Sequence, residues 1–175
     1  AVPQGIGAMA AILGLDDRRL IELCVQVSTD SNLVEAVNFN APGQVVIAGH
    51  SQAVDELMNI AKQAGAKRAL KLPVSVPAHS TLMRQAADKF AAVLADMAFT
   101  LPAIPVLQST TLTSAQSAEA VVRGLTEQLY SPVPWVATIK TRQAALNCII
   151  EIGPGKVLTG LHKRIDKTLT SMCIF

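Results

Sequence analysis

Apolar positions along the first third of the chain alternate between strand and helix periods. Residues 7–15 (GAMAAILGL) form a short apolar run preceded by turn residues, which predicts a buried strand. Asp16 has the composition of an N-cap, and Leu20, Leu23, Cys24 and Val27 then recur at i, i+3, i+4 and i+7, so 16–28 is a predicted helix. Residues 33–40 (LVEAVNFN) alternate as a half-buried strand does. APG at 41–43 is a turn, and 44–48 is the second strand of that hairpin. Val54, Leu57, Met58 and Ala61 repeat the helical stripe over 51–64, and Gly65 closes it as a C-cap would. A half-polar strand follows at 67–73 (KRALKLP).

The succession βαββαβ is the ferredoxin-like split arrangement. It predicts a small domain over residues 1–78, a four-stranded antiparallel sheet with both helices on one face. From VSVPAHS onward the pattern changes. Met83, Ala86, Ala87, Phe90, Leu94 and Met97 line one face of a long helix. A Pro-flanked strand is predicted at 105–110 (PVLQST), then a helix ending near Leu129, and another from about Pro134 to Leu146. CIIEIG (148–153) is a continuous apolar run, the mark of a parallel strand buried on both faces. GPGKVLTGLHKRI turns it into a last helix. Strands alternating with helices imply a parallel α/β layer over 79–175. Two or three strands are too few to cover themselves, so this second domain is expected to be incomplete. AVPQGIGAMAAILGL opens without methionine, directly into a loop and an apolar run, which leads to the expectation of a chain that continues upstream.

Composition narrows the function classes. Half of the 175 residues are apolar and 16% are charged, which excludes a disordered chain. The formal charge is +2, with Lys and Arg spread out and aromatics at 3%, so no basic stripe for nucleic acid is present. No apolar stretch approaches a membrane span and no basic-then-apolar leader precedes the first strand. Cys24, Cys148 and Cys173 are odd in number, far apart and outside any metal-ligand spacing, each in an apolar run, as expected of buried free thiols in a reducing cytoplasm.

Gly49-His50-Ser51 follows a β-branched run and precedes a helical pattern, nearly the G-x-S-x-G nucleophile elbow. The second glycine is missing, because position 53 is alanine. Ser directly before a periodic run is also the composition of an N-cap, so Ser51 is expected to place its hydroxyl on a first-turn amide. His50 gives no support to the elbow, since adjacent side chains do not face one another.

AVNFNAPGQVVIAG (36–49), LPVSVPAHSTLM (72–83) and EQLYSPVPW…EIGPGKVLTGLHKRI (127–165), in this order, make the chain similar to the malonyl-CoA:acyl carrier protein transacylases of bacterial fatty acid synthesis. The resemblance covers nearly the whole chain. It implies a ferredoxin-like domain inserted into an α/β-hydrolase-like domain, here its C-terminal portion. In that family a GHSxG serine and a carboxylate-binding arginine lie upstream of the insert, and neither matches a segment of this chain. The resemblance implies that His79 in SVPAHS is the general base, its second ring nitrogen held by the backbone carbonyl of Gln128 rather than by a carboxylate. A histidine's ordinary pKa suits proton transfer near neutrality. Asp88 and Glu151, the acids a conventional triad would use, fit a helix face and a strand end better.

The resemblance also brings Asn38 and Asn40 to the border of the cleft, where their amides bind substrate, against the alternative that they merely prepare the turn. Malonyl-CoA and acyl carrier protein are the implied partners, with the missing N-terminal segment of the same protein. The coenzyme A thioester is the substrate, and no cofactor or metal is expected. Lys62, Lys67, Arg68 and Lys71 are either a solvated face or a docking patch for the acidic carrier protein. Gly153-Pro154-Gly155 is a weak candidate for a phosphate cradle, and His162-Lys163-Arg164 suits a helix C-terminus. The competing expectation is a non-catalytic module, or inactive fragment, that binds acyl carrier protein. The 175 residues alone are expected to be inactive.

Overall fold

The computed structural model describes Val2, Pro3 and residues 5–174; Ala1 and Phe175, the outer limits of the two expected domains, lie outside the described residues. β1 (Gly7–Leu13), α1 (Asp17–Val27), β2 (Val34–Ala41), β3 (Gln44–His50), α2 (Ser51–Gln63) and β4 (Arg68–Lys71) follow in the expected succession. Their sheet has the order β2-β3-β1-β4 with every neighbouring pair antiparallel. Leu20, Leu23 and Val27 of α1 and Val54, Leu57 and Ala61 of α2 pack with Ile12, Val34 and Ile47 into one core. Fully burying one such side chain contributes about 1.5–3 kcal/mol, so the two stripes fix both helices to the same face.

The local signals at the helix ends are largely realised. Asp16 accepts a hydrogen bond from the Arg19 amide at 3.1 Å and caps α1. Gly65 follows α2 at φ +103, a conformation that costs a side-chain-bearing residue energy, and its amide bonds to the Lys62 carbonyl. The expected Ser51 cap is not formed. His50 occupies the cap position without a side-chain cap bond, Ser51 is the first helical residue, and its hydroxyl accepts from Lys71 Nζ at 3.1 Å. The imidazole of His50 is engaged elsewhere and gives no cap bond: its Nδ1 accepts from the Leu33 amide at 2.9 Å.

The opposite sheet face carries Met9, Val37, Val46 and Ala48, against which Leu72 and Ala78 pack. The chain then passes through a 3-10 turn over Thr81–Met83 into α3 (Arg84–Ala95), followed by α4 (Ala118–Glu127), α5 (Trp135–Arg142), β5 (Ile149–Ile152), α6 (Val157–Ile165) and β6 (Ser171–Ile174). α5 is shorter than predicted, with its last turn tightening to 3-10 geometry over Gln143–Ala145. β5 and β6 pair in parallel. β6 escaped the sequence pattern because four residues near a chain end carry too few positions to show a period.

Two expectations fail in this half. Residues 105–110 make no strand; Leu107 bridges Ser114 in an isolated antiparallel contact, and Ile104 and Val106 are 80% and 56% exposed. Pro105 lacks an amide donor, and among the described residues no strand lies beside this stretch to complete a ladder. β5 is parallel as expected but not covered on both faces, since Ile150 and Ile152 are 49% and 82% exposed. The stripe of α3 is likewise only partly buried, with Met83, Ala87 and Leu94 inside and Met97 outside.

The three cysteines are free, but only Cys24 is buried as expected; Cys148 and Cys173, on or beside the uncovered β5–β6 pair, are half-buried. Burial, reinforced by the negative charge of Glu35, pushes the Cys24 thiol up to about 12. Since the thiolate is the reacting form, a thiol reagent at about pH 8 is expected to modify Cys148 and Cys173 first and Cys24 after unfolding. Mass spectrometry of the labelled, folded chain checks this; early label on Cys24 would contradict it.

Candidate active site

The turn that leaves the small sheet carries His79. This residue has φ +65, a left-handed conformation uncommon outside glycine, and holding it costs on the order of 1–3 kcal/mol. The surroundings over-determine it. The His79 amide donates to the Leu129 carbonyl at 2.9 Å. Ser80, buried, donates its hydroxyl to the Pro77 carbonyl at 2.6 Å and closes the turn. His79 Nδ1 lies 2.7 Å from the carbonyl oxygen of Gln128.

A carbonyl oxygen accepts and never donates, so Nδ1 carries the hydrogen of the neutral ring. Nε2 is left as the basic nitrogen. Gln128 is the C-cap residue of α4, where carbonyls have no partner further along the helix. The negative end of the helix macrodipole also favours positive charge there, so α4 can stabilise the imidazolium without a carboxylate. The cation–π contact of the Arg84 guanidinium over Tyr130, 4.5 Å from the ring centroid, ties the start of α3 to the end of α4 and fixes this pairing.

Asn38 and Asn40 stand on β2, the edge strand, whose register shifts between Ala36 and Asn38 and again between Phe39 and Ala41. Phe39 packs with the helix-covered core. Asn38 pairs with Val46 and so lies on the other face, the one that carries Val37 and meets Ala78 beside His79, while Asn40 sits at the second register shift. The bulge is what places Val37 and Asn38 on the same side. The 131–134 segment lies along this edge, Val133 donating to the Val37 carbonyl at 2.7 Å and accepting from the Phe39 amide at 3.0 Å. Both amide side chains are half-buried, and neither makes a hydrogen bond among the described residues.

The other candidates take structural positions. Asp88 is exposed on α3. Glu151 accepts from the amides of Leu158 and Thr159, at 3.0 and 2.7 Å, and from the Thr159 hydroxyl at 2.7 Å. The N-terminus of α6 thus holds the protein's own carboxylate where a phosphate cradle was considered. Lys71 is bound by Asp55 at 2.8 Å. Lys67 and Arg68 instead meet Arg164 of α6 around a cleft of about 310 Å³ that Gly43 also lines. Arg164 also donates to Gln44. Among the described residues no group of three or more His, Cys, Asp or Glu could hold a metal, and no helix is long and apolar enough to cross a membrane.

His162 departs from its expected role as a helix-end cation. It is 1% exposed, stacked on Trp135 with ring centroids 5.6 Å apart, and its Nδ1 is 2.8 Å from the Ser171 hydroxyl. Burial lowers its pKa below the ordinary value, and the Glu151 carboxylate pulls the other way. With the folded pKa below the unfolded one, the unfolded state binds the extra proton. The stability from burying neutral His162 is therefore full above about pH 6.5 and declines as pH falls below it. The melting temperature is expected to drop on acidification through that window, and His162→Phe, which keeps a ring on Trp135, to flatten the drop. An equal drop in the variant would assign it to other groups.

A family model described as an acyl transferase domain matches residues 3–172. The malonyl CoA-acyl carrier protein transacylase of Escherichia coli K12 is 48% identical over 175 residues, covering 99% of this chain and 56% of the relative. That of Staphylococcus aureus MRSA252 is 39% identical, covering 98% and 57%. Among solved structures, an acyl carrier protein S-malonyltransferase of Vibrio cholerae O1 superposes with TM-score 0.95 at 46% identity, covering 99% of this chain and 56% of that one. A malonyl-transacylase solved in complex with a type II acyl carrier protein does so with TM-score 0.95 at 47% identity, covering 99% and 56%. The chain spans about half the length of the relatives it matches, and it belongs to the acyl transferase domain family.

Proposed function

We propose that the chain supplies the general base and one wall of the cleft in a transfer of malonyl from coenzyme A to the phosphopantetheine thiol of acyl carrier protein. The observation that carries this is the 2.7 Å contact of His79 Nδ1 with the Gln128 carbonyl, which leaves Nε2 free to take a proton. The nucleophile is a serine on a segment upstream of Ala1, the same segment that covers the exposed face of β5. As the serine oxygen attacks the thioester carbonyl carbon, its proton passes to Nε2 of His79. The carbon–sulfur bond then breaks and Nε2 returns the proton to the coenzyme A thiolate. The second half runs the same steps with the carrier thiol as attacking group. The thioester is itself activated, so the chemistry calls for no cofactor.

Asn38 and Asn40, with amide groups uncommitted to the protein, are assigned to the bound acyl-pantetheine chain. The Lys67, Arg68 and Arg164 cleft concentrates positive charge suited to an acidic carrier protein. That cleft also favours a second reading, binding of the carrier protein without catalysis. The test joins the chain to its upstream segment and follows malonyl transfer to carrier protein by mass spectrometry. The joined protein is expected to transfer and the 175 residues alone to be inert. Transfer by the bare chain would overturn the proposed division of labour, and carrier binding without transfer in the joined protein would favour the second reading.

A further inference from the structure

Glu35 lies on β2, three residues before Asn38, and nothing in the sequence pattern marks it beyond a charge on an alternating strand. Its Oε2 accepts from the Thr81 amide at 2.7 Å and from the Thr81 hydroxyl at 3.0 Å. Thr81 opens the 3-10 turn that runs into α3, and the first amides of such a run have no partner inside it. Ser80 holds the N-cap position and has a side chain suited to capping, yet it makes no cap bond. Its hydroxyl is committed to Pro77, inside the turn that carries His79. The cap is therefore delivered from another element, by a carboxylate, whose charge also suits a helix N-terminus. Glu151 does the same for α6 from β5.

We propose that Glu35 is a positioning residue for His79: by capping the turn after it, the β2 carboxylate fixes the imidazole relative to the sheet edge that bears Asn38 and Asn40. The inference rests on His79 being the general base. The contacts of His79 itself, to Leu129 and Gln128, both come from the end of α4. They set the ring against that helix, which is tied to the sheet through the later Val133 contacts with Val37 and Phe39. The Glu35–Thr81 pair adds a direct tie from the sheet to the turn itself, two residues from His79. A residue held at positive φ reverts readily when one of its supports is removed, so loss of the carboxylate loosens the ring from the Gln128 carbonyl.

The tautomer of His79 reports this without reference to activity. Long-range nitrogen–proton NMR of the 175-residue chain is expected to show the hydrogen on Nδ1 in the parent and averaging over both nitrogens in Glu35→Ala. Glu35→Gln, which keeps one carbonyl acceptor, is expected to retain most of the parent signature. It also serves if the alanine variant does not fold. In the protein joined to its upstream segment, Glu35→Ala is expected to lower kcat by about 10- to 100-fold, in line with a small misplacement of a reacting group, with KM changed less than about twofold. Glu35→Gln is expected to recover most of that loss. A folded Glu35→Ala with parent tautomer and parent kcat would overturn the inference, as would a rise confined to KM. Activity surviving in His79→Ala would instead overturn the general-base assignment, and the tautomer measurement would still decide whether Glu35 positions the ring.

Discussion

Replacing His79 in the protein joined to its upstream segment is expected to lower malonyl transfer by about 10²–10⁴-fold, the contribution typical of one positioned base. Under the proposed mechanism the loss falls on both half-reactions, because the same nitrogen would pass the serine proton to the departing coenzyme A thiolate in the first and the carrier thiol's proton back to the serine oxygen in the second. Alanine at φ +65 adds backbone strain of roughly 1–2 kcal/mol, so His79→Asn is the cleaner variant. Asparagine tolerates the left-handed conformation and offers no basic nitrogen. His79→Asn is expected to melt close to the parent, since the ring is half-buried and outside the two apolar clusters, and His79→Ala to melt lower because of that strain. Gln128→Ala is expected to be much milder, because the carbonyl that meets Nδ1 belongs to the backbone. Transfer rates with melting temperatures check the set. A His79 variant that keeps a tenth of the parent activity would remove the residue from the mechanism.

Gly49→Ala is expected to destabilise the chain by about 3 kcal/mol, the upper part of the range for overpacking a well-packed site. Gly49 pairs with Ala8 of β1 on one side and Val34 of β2 on the other. A methyl group there would collide with the Leu33 carbonyl oxygen and come within 2.7 Å of Val34 Cα. Both are backbone atoms and cannot swing aside. Leu33 is also pinned from two directions, its carbonyl accepting from the His50 amide at 2.8 Å and its amide donating to His50 Nδ1 at 2.9 Å. Ser51→Ala, which removes an exposed contact to Lys71, is expected to change stability by less than about 0.5 kcal/mol. Denaturant titration of the two variants separates the meanings of Gly49-His50-Ser51. A nucleophile elbow would make the serine the sensitive position for activity, whereas close strand approach makes the glycine sensitive for folding. A neutral Gly49→Ala would refute the close-approach account.

The small sheet was legible because its code is local. Period-2 and period-3.6 stripes, the Asp16 cap, the APG turn and Gly65 each act within a few residues, and the burial of Leu20, Leu23, Val54 and Leu57 on one face follows from the stripes alone. The 105–110 stretch failed for the opposite reason. Apolar composition states that a segment needs neighbours but not whether neighbours are there, and a strand exists only as part of a ladder. Ser51 lies one residue inside the helix rather than at the expected cap, since composition locates a helix end only to within a residue or two, and its hydroxyl is taken by Lys71 from a distant strand.

The site divides in the same way. His79, Gln128, Asn38 and Asn40 came from similarity of motif, since a lone histidine and two asparagines carry no periodic signal. The meeting of His79 with Gln128, 49 residues apart, was likewise implied by that similarity, whereas the meeting of Thr81 with Glu35, 46 residues apart, was decided by the tertiary structure alone. Contacts at that separation depend on the path of the backbone between them, which no local pattern encodes. The sequence by itself determined which helices and strands of the small sheet form and which faces they bury. The fold decided which carboxylate caps the turn behind the imidazole, and that His162 is a buried stacking partner rather than a surface cation.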